Sequence, residues 1–273
     1  MGKRKKRWFF FNISMLFATG IIIIIGVSLL CYSQNKSLKP QDGTIFAQTG
    51  EGVYIDQIQL GSRSSFRKTD AIPTFVYRGR IYVRNEWSPL RIEVAKQLQG
   101  EKVGTAKNSL SDWANSSNSS DSLPSNMGVS SIYKMSGYDS RFRLMTIDEK
   151  SQIGWMYECL NNVYITDGAC LFGELGLKEN IESVTYQTLE EWNSSSDVSH
   201  VVALEDEFWS LVDSLYEAKL IDYGRDTTPN LYEKERQVYY ITMKDQTVNE
   251  IIVFNDGYVA YRGLGAYYVF DLK

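Results

Sequence analysis

Apolar and polar positions alternate in short runs along most of the chain, and one long apolar run stands apart from them. Residues 53–60 have the β-rich character of a strand, and 74–77 with 81–83 flank Arg78-Gly79 as a hairpin. Strands are predicted again at 131–135, 142–147, 153–159 and 163–166. A meander follows at 238–243, 248–254, 258–261 and 267–270, punctuated by Asn255-Asp256-Gly257 and Gly263-Leu264-Gly265. Helical spacing is rarer. Leu90, Val94 and Leu98 suggest a short helix over 89–99. Leu204, Phe208, Leu211, Val212, Leu215 and Tyr216 form one apolar face over 204–220, with Glu205, Asp206 and Glu207 where the helix dipole favours negative charge.

The long run covers residues 8–31 without a charge, after the basic cluster Lys3, Arg4, Lys5, Lys6 and Arg7. A helix of that length is about 36 Å long, enough for a hydrocarbon core of about 30 Å. The expectation is a cytoplasmic tail over 1–7, a transmembrane anchor over 8–32 in contact with the lipid bilayer, and a tether over 33–52. The domain, 53–273, then lies outside the cytoplasm of a single-pass cell-membrane protein, oriented by the basic cluster. Two alternatives stay open. Cys31 sits where a lipidated cysteine would, although Leu30 before it is not small, and a cleaved signal peptide would have a shorter apolar stretch and small residues before the cut. Each places the bulk of the chain outside.

The expected fold class is therefore α+β: an N-terminal transmembrane helix, then a mainly antiparallel β domain with one or two packed helices. Two sub-halves, 53–147 and 151–273, are open as a division. The Ser- and Asn-rich stretch 109–131 is expected to be a mobile loop.

Composition narrows the function classes. Hydrophobic residues make up 43% of the chain, with 18 Tyr, 12 Phe and 6 Trp, too apolar for a disordered stalk. The chain holds 29 Lys+Arg and 33 Asp+Glu; without the five bases of the tail, 24 face 33, about −9. A nucleic-acid partner does not fit that balance. Cys159 and Cys170 are the only pair after Cys31, and both a disulfide and two free thiols remain open for them. With a single histidine, His200, and no C-x-x-C, neither a zinc site nor any other cofactor is expected.

Catalytic patterns are thin. His200 has no G-x-S-x-G to serve, and its bland reading is an exposed or capping residue before a helix. Glu190-Glu191-Trp192 has the acid-plus-aromatic look of a sugar site, against the plainer reading of a solvated helix start. Tyr239, Tyr240, Tyr258, Tyr261, Tyr267 and Tyr268 fall in neighbouring strands and could line a binding face, or pack on a helix. The leading expectation is a non-enzymatic binding module at the cell envelope whose protein or cell-wall ligand is open. The alternative is an envelope hydrolase using carboxylates on glycan or peptide.

The run Gly137-Tyr138-Asp139-Ser140-Arg141-Phe142-Arg143-Leu144-Met145, with Tyr186-Gln187 to Trp192-Asn193 and Asp256-Gly257-Tyr258-Val259, resembles a set of uncharacterised membrane- or lipid-anchored extracytoplasmic proteins of Gram-positive bacteria. The resemblance implies an extracytoplasmic location and transfers no activity. Arg78-Gly79-Arg80-Ile81-Tyr82-Val83 is similar to a hairpin of wall-associated copper-amine-oxidase N-like modules, which implies surface location alone.

Overall fold

Period-two alternation is realised as strands far more often than the sequence pattern alone suggests. The computed structural model describes residues 52–58, 72–108, 122–223, 234–264 and 268–273. Across them 47% are strand and 21% helix, so β structure dominates. The strands are β1 (Val53–Ile55), β2 (Thr74–Tyr77), β3 (Arg80–Arg84), β4 (Leu90–Arg91), β5 (Gln99–Asn108), β6 (Ser122–Ser125), β7 (Ser130–Met135), β8 (Arg143–Asp148), β9 (Ile153–Glu158) and β10 (Val163–Ile165). They continue as β11 (Ile181–Thr188), β12 (His200–Val201), β13 (Lys219–Asp222), β14 (Arg236–Met243), β15 (Val248–Phe254), β16 (Tyr258–Tyr261) and β17 (Tyr268–Asp271). The helices are α1 (Ile92–Leu98), α2 (Gly168–Glu174), α3 (Leu177–Asn180), α4 (Leu189–Asn193) and α5 (Asp206–Glu217).

The first half closes on itself. Its strand order is β3-β2-β6-β5-β7-β8-β9, and β9 returns to β3 through Val83↔Glu158 and Arg84↔Tyr157. Closure leaves no strand edge in that ring, the usual remedy for unpaired backbone groups. One pairing, β5 with β6, is parallel; the others are antiparallel. Side chains fill the interior: Phe75, Tyr82, Leu123, Ile132, Leu144 and Tyr157 are buried, and Phe75 stacks on Tyr82 with centroids 5.2 Å apart. Alternation sends the intervening residues outward. Met135, Met145 and Met156 meet Leu90, Val94, Ala95 and Leu98 on and beside α1, which covers this flank of the barrel.

The second half stays open, in the order β12-β11-β14-β15-β16-β17-β13. Its larger face carries Val184, Ile241, Ile251, Val259 and Phe270 against Leu171 and Phe172 of α2 and Phe208, Val212 and Leu215 of α5. Gly168 opens α2 because α5 runs against it. A Cβ there would lie 1.7 Å from the Leu215 carbonyl oxygen, and the Gly168 N–H donates to Ala218 O at 2.8 Å. The opposite face buries Val238, Ile252, Phe254, Ala260 and Val269, with Trp192, Tyr240 and Tyr258 packed on it. The pair β1 and β10 forms a separate ribbon whose Ile55, Val163 and Ile165 join the larger core.

A buried polar cluster ties barrel to sheet. Arg143 on β8 and Glu158, its cross-strand neighbour on β9, are 0% and 4% exposed. Arg143 Nε and Nη2 donate to Glu158 Oε1 at 3.1 and 2.5 Å, Nη2 also donates to Asn249 Oδ1 at 3.1 Å, and the Tyr261 hydroxyl donates to the same Glu158 oxygen at 2.8 Å. Burial by itself would depress the arginine's pKa, but the Glu158 charge together with Tyr261, Tyr138 and the Glu158 hydrogen bond outweighs it, so the group stays firmly protonated. Tyr138 adds a second link, donating to Asp245 Oδ2 at 2.9 Å and lying 3.0 Å from Thr247 Oγ1. The motif-like run 137–145 thus supplies the joint.

Three expectations are corrected. The α+β class gives way to a predominantly β architecture of a closed barrel and an open sheet, because the helices are one to three turns long and serve as covers for sheet faces. The single-pass membrane helix is withdrawn as well. Among the described residues no helix is long and apolar enough to cross a membrane, and the longest, α5 with 12 residues, spans about 18 Å and is apolar on one face only. The span expected at 8–32, with Lys3, Arg4, Lys5, Lys6, Arg7 and Cys31, lies outside the described residues. Finally, within the stretch expected to be a loop, Ser122–Ser125 is a barrel strand whose Leu123 enters the interior and whose Ser125 hydroxyl donates to Lys107 O at 2.8 Å. Residues 109–121 lie outside the described residues.

Candidate functional site

Where barrel meets sheet on the outer surface, an arginine stands near two tryptophans. Trp87 follows β3 in a turn whose Asn85 side chain accepts from the Trp87 N–H at 3.1 Å. Trp192 rides on α4, and Arg262 begins the 3-10 turn Arg262–Leu264 after β16. The Arg262 guanidinium carbon lies 4.1 Å from the Trp87 ring centroid and 5.0 Å from that of Trp192. Such contacts contribute about 0.5–2 kcal/mol each. Arg262 Nε also donates to Glu250 Oε1 at 2.5 Å, with Glu250 almost wholly buried. Burial pushes the Glu250 carboxyl up, and the Arg262 charge opposes that only in part.

The consequence for Trp87 is an indole held in place yet 47% exposed, the most exposed tryptophan among the described residues. Beside it, Arg84 forms two bonds to Glu86 at 2.6 and 2.8 Å and lies 4.2 Å from the Trp155 ring centroid. The surface therefore alternates flat rings with fixed charges, a chemistry suited to planar or ring-shaped groups.

The helix under Trp192 is set by its first residues. Thr188 and Glu191 form a reciprocal capping box: Glu191 Oε2 accepts from the Thr188 N–H and hydroxyl, both at 2.8 Å, and Thr188 Oγ1 accepts from the Glu191 N–H at 3.3 Å. Glu191 Oε1 lies 2.9 Å from His200 Nε2. The Thr188 backbone N–H and then His200 hold the Glu191 carboxyl below its ordinary range. His200 in turn stacks on Tyr186, and Tyr186 on Tyr239, at 4.9 and 5.5 Å between centroids.

The structure therefore brings Glu191, Trp192 and His200 into one neighbourhood and leaves Glu190 exposed. The tyrosines expected on one face are divided by strand alternation. Tyr239 and Tyr268 border the larger core, Tyr240 and Tyr258 the smaller, and Tyr261 is buried beside Arg143 and Glu158; Tyr267 lies outside the described residues. Asp206 and Glu207 occupy the first turn of α5, after Glu205 at its N-cap. Cys159 and Cys170 are free thiols, the first buried by the barrel with its pKa pushed up by that burial, the second 3.2 Å from Thr166 Oγ1. Among the described residues no group of three or more His, Cys, Asp or Glu side chains could hold a metal ion. Trp87, Arg262 and Glu250 escape sequence reasoning, since they are separated by up to 175 positions; the one available signal was the density of Trp and Arg around residues 84–91. Set against family models, curated proteins and solved structures, the chain has no match in any of the three.

Proposed function

We propose that this chain is a non-enzymatic binding module acting outside the cytoplasm, with Trp87, Arg262 and Trp192 as its contact surface for an envelope glycan or peptide. The observation that carries the reading is the exposed Trp87 ring, kept rigid by an arginine that is itself fixed by buried Glu250. A pre-ordered aromatic surface loses little entropy on binding, which is why Trp and Arg dominate binding energetics. The location rests on the basic cluster and apolar run at the amino terminus, features of a segment that directs export. The hydrolase alternative gains little from the carboxylates. Glu191 is engaged by its capping box and His200, and its lowered pKa is the wrong direction for a general acid.

The test is tryptophan fluorescence of the full-length chain titrated with soluble cell-wall fragments and with peptides. Saturable quenching that Trp87→Ala abolishes supports the reading. Binding that is indifferent to Trp87→Ala, or turnover of any fragment that Glu191→Gln abolishes, overturns it.

A further inference from the structure

A concave site lies on the barrel, with none of Trp87, Trp192 or Arg262 in its lining. It is a groove of about 400 Å³ lined in part by Tyr77, Arg78, Glu101, Lys102, Gly104 and Lys134. That volume is within the range of small-ligand sites, about 300–1,000 Å³. Two irregularities of the barrel wall shape it. The β2–β3 hairpin turns through Arg78 and Gly79 with φ of 49° and 74°, so a two-residue turn places the Arg78 side chain at the rim. On the opposite wall, β5 shifts register against β7 on both sides of Lys102, between Gln99 and Lys102 and again between Lys102 and Gly104. Bulges of this kind re-aim side chains and are enriched beside functional sites.

The chemistry of the lining is cationic. Arg78, Lys102 and Lys134 face one carboxylate, Glu101, which Lys134 engages at 2.7 Å. The hydrogen bond from Lys134 lowers the Glu101 pKa, and Arg78 is close enough to lower it further while also acting against the Lys134 charge. This excess of positive charge sits on a chain with 33 acidic against 29 basic residues, so the groove runs against the overall balance. The Tyr77 ring, with the Arg78 guanidinium carbon 5.3 Å from its centroid, adds a flat apolar surface at the same spot. A guanidinium fork and ammonium groups suit phosphate and carboxylate, whereas an aromatic face suits the ring of a sugar.

From the bulged wall, the cationic rim and the tyrosine face together, we infer that this groove binds an anionic saccharide, a sugar unit bearing a phosphate or a carboxylate. The inference is independent of the tryptophan surface. Arg78 and Lys102 grip the anion, Lys134 holds Glu101 aside and the sugar ring lies on Tyr77.

The experiment is calorimetric titration of the full-length chain with glucose 6-phosphate, glucuronate, inorganic phosphate and uncharged glucose. The expected result is saturable binding of glucose 6-phosphate or glucuronate, at least about tenfold tighter than glucose, weakening as salt rises from about 0.05 to 0.3 M. The two charged sugars separate a phosphate from a carboxylate source. Arg78→Asn is the informative variant, because asparagine tolerates the left-handed backbone that arginine adopts there. It should leave the melting temperature equal or higher while weakening binding about tenfold, as should Lys102→Gln. Trp87→Ala should leave these affinities unchanged, which separates the groove from the aromatic surface. No binding of either charged sugar at millimolar concentration, equal affinity for glucose, or affinity unaltered by both rim variants would overturn the inference. Inorganic phosphate binding as tightly as the sugar phosphate would reduce the groove to a bare anion site and overturn the saccharide assignment.

Discussion

The barrel and the open sheet solve one problem, burying strand faces, in two different ways. The barrel closes β9 onto β3 and fills its own interior with Phe75, Tyr82, Leu144 and Tyr157; the sheet leaves β12 and β13 as edges and borrows α2, α4 and α5 to cover its faces. Its edges are short, two and four residues, which limits pairing with another chain. The difference explains where candidate binding chemistry falls. The barrel fills its interior with its own side chains, so its candidate recognition groups stand on turns and bulges, at Trp87 and at the Arg78 rim. The sheet contributes through Arg262, in the turn after β16, and through Trp192, which rides on the covering helix α4 and packs on the smaller face.

The comparison breaks most severely at the cores. Phe75→Ala inside the barrel should cost close to 5 kcal/mol, whereas Phe254→Ala on the smaller sheet face should cost closer to about 3 kcal/mol. A closed wall collapses less readily around a void than an open face with half-buried rings nearby. Urea denaturation of both variants measures this, and the reverse order would mean that closure does not set the rigidity of the barrel core.

Next is the joint between the halves. Glu158→Ala leaves Arg143 buried without its partner and should cost about 3 kcal/mol or more, while Arg143→Met with Glu158→Leu should recover most of that loss. Thermal melts of the single and double variants decide it. Separate melting of two transitions in Glu158→Ala would show that the polar cluster makes barrel and sheet unfold as one.

Trp87→Ala should sharpen the surface side of the comparison, lowering stability by only about 1 kcal/mol through the lost arginine contact. A loss of several kcal/mol would make Trp87 a structural staple between the halves.

The smallest effect is expected at the sheet edge. Because the folded-state pKa of Glu191 lies below its ordinary 4.5, the group contributes stability that is present above that value and is lost as pH falls through the folded one. Denaturation midpoints followed from about pH 5 to 3 should therefore fall less steeply in Glu191→Gln than in the parent chain. Parallel slopes would remove Glu191 from the acid response.

Legibility varied by element, and the misses share a cause. The hairpin at Arg78-Gly79, the helix over Asp206–Glu217 and the carboxy-terminal meander were readable because turn residues and apolar spacing agree locally. Strand β5, with the sequence QGEKVGTAKN, has glycines, lysines and no sustained alternation, and its place is set by β6 and β7 on either side. Strand β6 lies in a Ser-rich run and is recruited by barrel closure. The candidate site was half visible. Trp192 and the Glu191 pair drew notice as an acid-plus-aromatic pattern, but Glu191 proved to be a capping residue, and Arg262 and Trp87 carried no local mark.

By itself the sequence determined what short-range physics can determine: which runs extend, where chains turn through left-handed residues, which helix face is apolar, and the acidic balance of the whole. Closure of the barrel, the division of the tyrosines between two faces, the burial of Arg143 against Glu158 and the meeting of Trp87 with Arg262 were decided only by tertiary structure. The reason is that strand pairing, charge burial and the ring–cation contact join residues far apart in sequence, 175 positions for Trp87 and Arg262, whose contact energy appears only once the intervening chain has folded.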